Sequence, residues 1–204
     1  MKNDKNKKEM DVVFLLDRSG SMSGSELDTI GGYNSYLKKQ RQNKINTKIT
    51  TILFDDKYEV LHDRVDIKEI KDLTIKEYYV RGCTALLDAI GITISNLDRK
   101  VKDNKVLFVI TTDGLENSSC EYKKSDIKKL IEEHSNWEFL YIGANIDSYT
   151  EGRELGISKN NISNYQKTKT GTECMFNSIS NACEMMYKEK SIDESWKKEL
   201  ENNY

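Results

Sequence analysis

Asp11 to Leu16 is apolar at every position after its acidic first residue. A run without alternation marks a strand covered on both faces, as in the interior of a parallel sheet. Residues 23–42 then carry Leu27, Ile30, Tyr33 and Leu37 at helical spacing, which predicts a helix with those four side chains on the sheet and Ser23 or Ser25 as its cap. Gly31-Gly32 inside it weakens helix propensity and predicts close packing of that helix on the sheet. Ile45 to Phe54 alternates in part and reads as a second strand. Asp55-Asp56 makes a turn, and Tyr58 to Leu61 returns as an antiparallel strand at the sheet edge.

Residues 66–78 mix short apolar spacings with many charges and fit one brief helix at most. Leu86, Ile90, Ile94 and Leu97 mark a helix that opens just after Thr84. Lys105 to Thr112 contains a second fully apolar strand, residues 122–135 a helix with Ile127, Leu130 and Ile131 inward, and Trp137 to Ile142 a third apolar strand. A short helix over 148–156, a strand over 162–165 and a last helix over 171–188 complete the series. Alternation of strand and helix, joined by right-handed crossovers, predicts a mostly parallel sheet with helices on both faces. Three segments follow: a flexible stretch 1–9, a domain over 10–188 and a charged helix or tail over 189–204. In that tail Ile192, Trp196 and Leu200 are spaced i, i+4, i+8, which suits a frayed polar helix or one docked on the domain or a partner.

In such a sheet ligands sit beyond the carboxyl ends of the strands. Asp17 and Asp113 lie just past two of the most apolar strands, and Thr84 opens a helix on the same rim. Ser19 and Ser21 are two apart, and Gly20 between them permits a tight turn that points both hydroxyls to one spot. Singly, each piece has an ordinary reading as a turn, a polar loop or a helix cap. Together they form a set of hard oxygens suited to a small hard cation such as Mg²⁺, which prefers six oxygens in octahedral array. The neutral hydroxyls leave the ion's charge largely unquenched, so an incoming carboxylate would complete the shell.

Composition narrows the classes. The chain has 204 residues, no proline and a formal charge of −2. So even a balance gives no electrostatic reason to expect nucleic acid or a membrane as partner. The opening MKNDKNKKEM is followed by too short an apolar run for a signal peptide, and nothing approaches a membrane span, so a cytoplasmic location is expected. Cys83, Cys120, Cys174 and Cys183 form no CxxC pair and read as free thiols, with Cys83 and Cys120 on the same rim. His62 and His134 lack metal-type spacing and read as surface residues. No Ser-His-acid arrangement and no glycine-rich phosphate loop is present.

Asp17-Arg18-Ser19-Gly20-Ser21, the separate Thr84 and the separate Asp113 resemble the von Willebrand factor A domain family. Its signature is Asp-x-Ser-x-Ser with one distant Thr and one distant Asp, the metal-ion-dependent adhesion site. The stretch Phe14 to Met22 looks like the form common in bacterial and intracellular members, and the resemblance spans roughly residues 10–187. It implies a doubly wound, Rossmann-like three-layer α/β sandwich with one antiparallel edge strand. It also implies that Ser19, Ser21 and Thr84 bind the metal directly, while Asp17 and Asp113 act largely through water. The implied ion is Mg²⁺, with Mn²⁺ or Ca²⁺ as alternatives. The sequence departs from the common Gly-Gly-Thr in having Gly82-Cys83-Thr84, which is expected to narrow or stiffen that loop without removing a ligand.

The function expected is therefore a metal-dependent protein-binding module, not an enzyme, whose partner presents an Asp, a Glu or a C-terminal carboxylate. Arg18, between two proposed ligands, either steers an acidic partner or points to solvent. Glu116-Asn117-Ser118-Ser119 reads as part of the binding rim or as plain surface loop, Asp88 as a hydrogen-bond acceptor behind the ligands or as a solvated acid, and Tyr78, Tyr79 and Arg81 as rim or packing residues. Two alternatives remain: a Mg²⁺-dependent hydrolase or phosphotransferase, for which no convincing general base or phosphate clamp is seen, and a scaffold with a non-functional metal site.

Overall fold

A computed structural model describes residues 9–43, 46–101, 104–188 and 191–204. Six strands form one sheet: β1 (Glu9–Asp17), β2 (Asn46–Phe54), β3 (Tyr58–Asp66), β4 (Lys105–Thr112), β5 (Glu138–Gly143) and β6 (Ile162–Asn164). Their order is β3-β2-β1-β4-β5-β6, with every pairing parallel except β2–β3. Helices α1 (Glu26–Gln42), α2 (Leu86–Asp98), α3 (Lys124–Glu133), α4 (Ser148–Glu154), α5 (Lys169–Tyr187) and α6 (Lys198–Asn202) cover both faces. The doubly wound three-layer sandwich with an antiparallel edge strand is thus present. The flexible segment expected over 1–9 lies, for residues 1–8, outside the described residues.

Alternate side chains of β1 feed two cores, as the period of two requires. Val12, Phe14 and Leu16 pack with Tyr33, Tyr36 and Leu37 of α1 and Phe176 and Ile179 of α5. Val13 and Leu15 pack with Ile90 and Ile94 of α2, Ile127 of α3 and Phe139 of β5. Burial on both faces explains why the central strands read as unbroken apolar runs. Among the described residues no helix is long and apolar enough to cross a membrane.

Two local expectations are corrected and one ambiguous segment is resolved. Leu27 is 72% exposed and does not face the sheet, because α1 begins only at Glu26 and its buried stripe runs through Ile30, Tyr33, Tyr36 and Leu37. The close approach behind Gly31-Gly32 is helix to helix: a Cβ on Gly32 would stand 2.3 Å from the Phe176 ring of α5, while one on Gly31 would meet nothing within 4 Å. Residues 67–78 form turns and no helix. Their backbone is satisfied by side chains of α1 instead. Asn34 bonds both the N–H and the carbonyl of Leu73, and Arg41 donates to the carbonyls of Ile67 and Ile70.

The chain runs outward from β1 to β2 and β3, then crosses back to β4 on the other side of β1. The order reverses between β1 and β4, and the crevice beyond their carboxyl ends is where such sheets bind ligands. Asp17 closes β1 there, and Asp113 follows β4 by one residue.

Candidate metal centre

Backbone hydrogen bonds hold three loops together at this crevice. Gly20 N–H donates to the Gly82 carbonyl, and Arg81 N–H to that of Arg18, which ties the serine loop to the loop of Thr84. Asn117 and Ser118 N–H both donate to the Thr84 carbonyl, and Asn117 Oδ1 accepts from Thr84 N–H, which ties that loop to the one after β4. Distant parts of the chain thus meet by direct contact, and the sequence-expected residues Asp17, Ser19, Ser21, Thr84 and Asp113 share one rim.

Within the rim, Ser19 Oγ lies 2.9 Å from Ser21 Oγ. A Cβ on Gly114 would stand 2.9 Å from Ser21 Oγ and 3.1 Å from Thr84 Oγ1, so these two oxygens flank one point and glycine at 114 leaves it open. Asp17 Oδ1 accepts from Ser19 N–H at 2.7 Å, and Oδ2 accepts from Thr112 Oγ1 at 2.6 Å. Asp113 Oδ2 is 2.8 Å from Lys167 Nζ, while its Oδ1 is buried with no hydrogen-bond partner. Ser21, Cys83, Leu115 and Asn117 are exposed around the opening.

Two buried carboxylates side by side are electrostatically costly. Burial pushes Asp17 up to about 6; hydrogen bonds from Thr112 and Ser19 pull it partly back, and the Asp113 charge adds to the rise. Burial, and then the same two acids, also raise Tyr165. A cation fits this donor set on three counts: an unpartnered buried carboxylate oxygen, hydroxyls converging where a Cβ is missing, and two acids whose desolvation a positive charge would offset. Among the described residues no three His, Cys, Asp or Glu side chains come together as a metal-ligand group. The candidate set has two carboxylates and relies on hydroxyls for the rest.

Arg18 is a correction. Its side chain is fully buried, neither steering nor solvent-exposed. Its Nε lies 2.8 Å from Asp55 Oδ2 and Nη2 2.7 Å from Glu59 Oε2, and Arg81 Nε shares Asp55 Oδ2 at 2.7 Å. The Tyr79 ring is flanked by both guanidinium groups, at 5.4 and 5.3 Å. Tyr78 is buried and donates to the Asp17 carbonyl at 2.5 Å. Asp88 accepts from the N–H groups of Cys120, Glu121 and Tyr122, and Glu116 from those of Leu87, Ser118 and Ser119, so both acids shape the loop after β4. Gly82 is the residue that the Thr84 loop cannot exchange: its φ is +69° and a Cβ would stand 2.1 Å from Asp56 Oδ1. Cys83 points to solvent and is accommodated there. The histidines are less exposed than expected. His62 is half-buried in β3, and His134 bonds the Leu130 carbonyl and packs against Trp137, with ring centroids 4.4 Å apart and the rings tilted by 54°.

Sequence reasoning missed Thr112, Asp55 and Lys167. Thr112 was legible as the residue before Asp113 at a strand end. Lys167 follows β6 and so belongs to the same edge of the sheet. Asp55 gave no signal beyond a turn.

No family model and no curated protein sequence matches the chain. Among solved structures, a mutant of the PilB minor pilin from Streptococcus sanguinis is similar at 10% identity with a TM-score of 0.69, covering 92% of this chain and 64% of that one. The von Willebrand factor type A structure from Catenulispora acidiphila is similar at 12% identity and a TM-score of 0.64, covering 85% and 42%. Proximal thread matrix protein 1 from the mussel byssus is similar at 15% identity and a TM-score of 0.62, covering 85% and 45%. The chain therefore spans 42 to 64% of the length of these structures. At such identities the likeness shows architecture alone: the chain has the general fold of von Willebrand factor type A domains.

Proposed function

We propose that this chain is a divalent-cation-dependent protein-binding module. In this reading Ser19, Ser21 and Thr84 hold Mg²⁺, with Mn²⁺ or Ca²⁺ as alternatives, and Asp17 and Asp113 hold it directly or through water. The ion supplies a fixed positive anchor for an Asp, a Glu or a C-terminal carboxylate of a partner protein. The observation that carries the reading is the convergence of the Ser19, Ser21 and Thr84 hydroxyls at Gly114, next in the chain to Asp113, whose Oδ1 is a buried acceptor that no protein donor satisfies. Hard, mostly neutral oxygens at an open rim suit an ion that keeps a position for a guest. The same reading assigns the rim to binding and not to catalysis, since His62 lies within β3 and His134 ends α3, at the other end of the sheet. Four free thiols, two of them exposed, suit the reducing cytoplasm, and the balanced charge suits a protein partner over nucleic acid or a membrane.

The test is calorimetric titration of MnCl₂ into chelator-treated protein, followed by partner capture with and without EDTA. Wild type is expected to bind one ion, and Asp17→Ala or Thr84→Ala to lose about tenfold or more in affinity. Capture that is indifferent to EDTA and to Asp17→Ala would refute the reading.

A further inference from the structure

Lys167 lies in the loop between β6 and α5, on the same edge of the sheet as the candidate centre. That loop is firmly placed. Tyr165 N–H donates to the Gly143 carbonyl, Thr168 Oγ1 caps α5 by accepting from Gly171 N–H, and a Cβ on Gly171 would stand 2.1 Å from the Gln166 carbonyl oxygen. The Lys167 side chain is only 19% exposed. Its ammonium has three donors, and three acceptors meet it: Asp113 Oδ2 at 2.8 Å, the Ser23 carbonyl at 3.3 Å and the Ser21 carbonyl. Two of these acceptors belong to the loop that carries Ser19 and Ser21. The third is one of the two acids that would serve the ion. A wandering surface lysine would not meet this combination of burial, full pairing and fixed loop.

We propose that Lys167 is a built-in counter-cation of the centre, competing with the divalent ion for Asp113 and so setting the ion affinity. The inference rests on the metal-dependent reading above and concerns the regulation of that site. The ammonium offsets one of the two negative charges of Asp17 and Asp113, and it does so where burial weakens screening. A dication arriving at the hydroxyls meets a net charge of about −1 in place of the −2 of the bare acid pair, and so a weaker attraction. A guest carboxylate restores the missing negative charge. Ion and guest therefore reinforce one another, and the centre holds its ion weakly until an acidic partner arrives.

The experiment titrates MnCl₂ into the chelator-treated full chain, for wild type, Lys167→Met and Lys167→Arg, with thermal melts alongside. Lys167→Met is expected to bind Mn²⁺ about tenfold more tightly or better, and Lys167→Arg, which keeps the charge, to stay within about threefold of wild type. Lys167→Met should also melt lower than wild type in chelator and recover with Mn²⁺, since Asp113 loses its partner. Should Lys167→Met not fold, Lys167→Gln, which keeps a donor for the loop carbonyls, takes its place with the same expectation. Unchanged or weaker Mn²⁺ binding by the neutral variant, with wild type still binding, overturns the counter-cation role and leaves the metal-dependent reading intact. Absence of Mn²⁺ binding in wild type and in the neutral variant alike overturns both.

Discussion

Arg18 sits between Asp17 and Ser19 in sequence, yet its guanidinium turns inward beneath the rim. It shares Asp55 with Arg81, and the turn carbonyl of Asp55 also accepts Ala85 N–H. Asp55 thereby fixes both the serine loop and the loop that presents Thr84. Removing it takes away the buried partner of the Arg18 guanidinium and leaves only the half-exposed Glu59, a loss that costs up to about 3–5 kcal/mol in buried pairs. Asp55→Ala is expected to lower urea-unfolding stability by that order and to weaken Mn²⁺ binding through displacement of Thr84, whereas Glu59→Ala, at the exposed end of Arg18, should change stability far less. Burial pushes the Asp55 carboxyl up, but hydrogen bonds from Arg81, Lys57 N–H and Arg18 outweigh it and hold it below 3.8. Its stabilisation is therefore present above pH 3.8 and is lost as pH falls through the lowered value. His62 gives a second, separate pH window. Burial lowers it from 6.5, so the folded protein binds fewer protons than the unfolded chain below that value. The His62 contribution to stability should fall as pH drops from 6.5 toward the lowered value, while Asp17, raised to about 6, works the opposite way, so the difference between wild type and His62→Gln in melts run from pH 7.5 to 5.5 reads His62 alone. The shared rim of Asp17, Ser19, Ser21, Thr84 and Asp113 was legible because each is an oxygen-bearing residue close to a strand end or a helix start. Arg18 was not, because its partner Asp55 comes from a turn far away in sequence, and no local pattern announces that pairing.

Strands and helices were largely readable for a physical reason. A strand buried on both faces has no polar alternation, so β1, β4 and β5 stand out as apolar runs, and β4 coincides with the expected Lys105 to Thr112. Residues 67–78 were ambiguous in sequence because their backbone is satisfied by α1 side chains, and side-chain bonds across such a distance leave no periodicity. The glycine pair of α1 shows the same limit at finer grain. Sequence announces a close contact without saying which glycine makes it or against what. Phe176 is itself locked by Phe14 and Tyr33, with ring centroids 6.4 Å away in both cases, so it has little room to yield to a new Cβ. Gly32→Ala is expected to destabilise by about 1–3 kcal/mol through overpacking. Gly31→Ala meets open space and should stabilise by about 0.5–1 kcal/mol through helix propensity. Chemical denaturation of the two variants reads the contrast, and equal effects would show that α1 does not approach α5 at Gly32.

At the scale of the whole molecule, the sheet leaves β6 as its edge beyond β5, and an edge strand presents unpaired backbone groups that need cover. Residues 192–200 supply that cover. Ile192, Trp196 and Leu200 are buried in the core shared by α1 and α5, so the spacing that equally suited a frayed helix marks a docked face. Trp196 Nε1 donates to the Asn160 carbonyl at 2.8 Å. Lys197 is buried and donates to the Ile162 carbonyl of β6 at 2.7 Å and to Tyr149 Oη at 3.1 Å. The charged composition of this segment hid its role, because the lysine that looks most solvated spends its ammonium on the sheet edge. Trp196→Ala is expected to cost about 3–5 kcal/mol, as for other buried tryptophans. Lys197→Met removes the donor but keeps the stem, leaving the Ile162 carbonyl unsatisfied at about 1–3 kcal/mol. Truncation after Lys188 combines both losses and uncovers β6, so it should lower the urea midpoint further than either substitution and produce larger species by size-exclusion chromatography at high protein concentration. A truncated chain that stays monomeric with an unchanged midpoint would mean that α5 and β6 need no cover, and that residues 191–204 rest on the sandwich without supporting it.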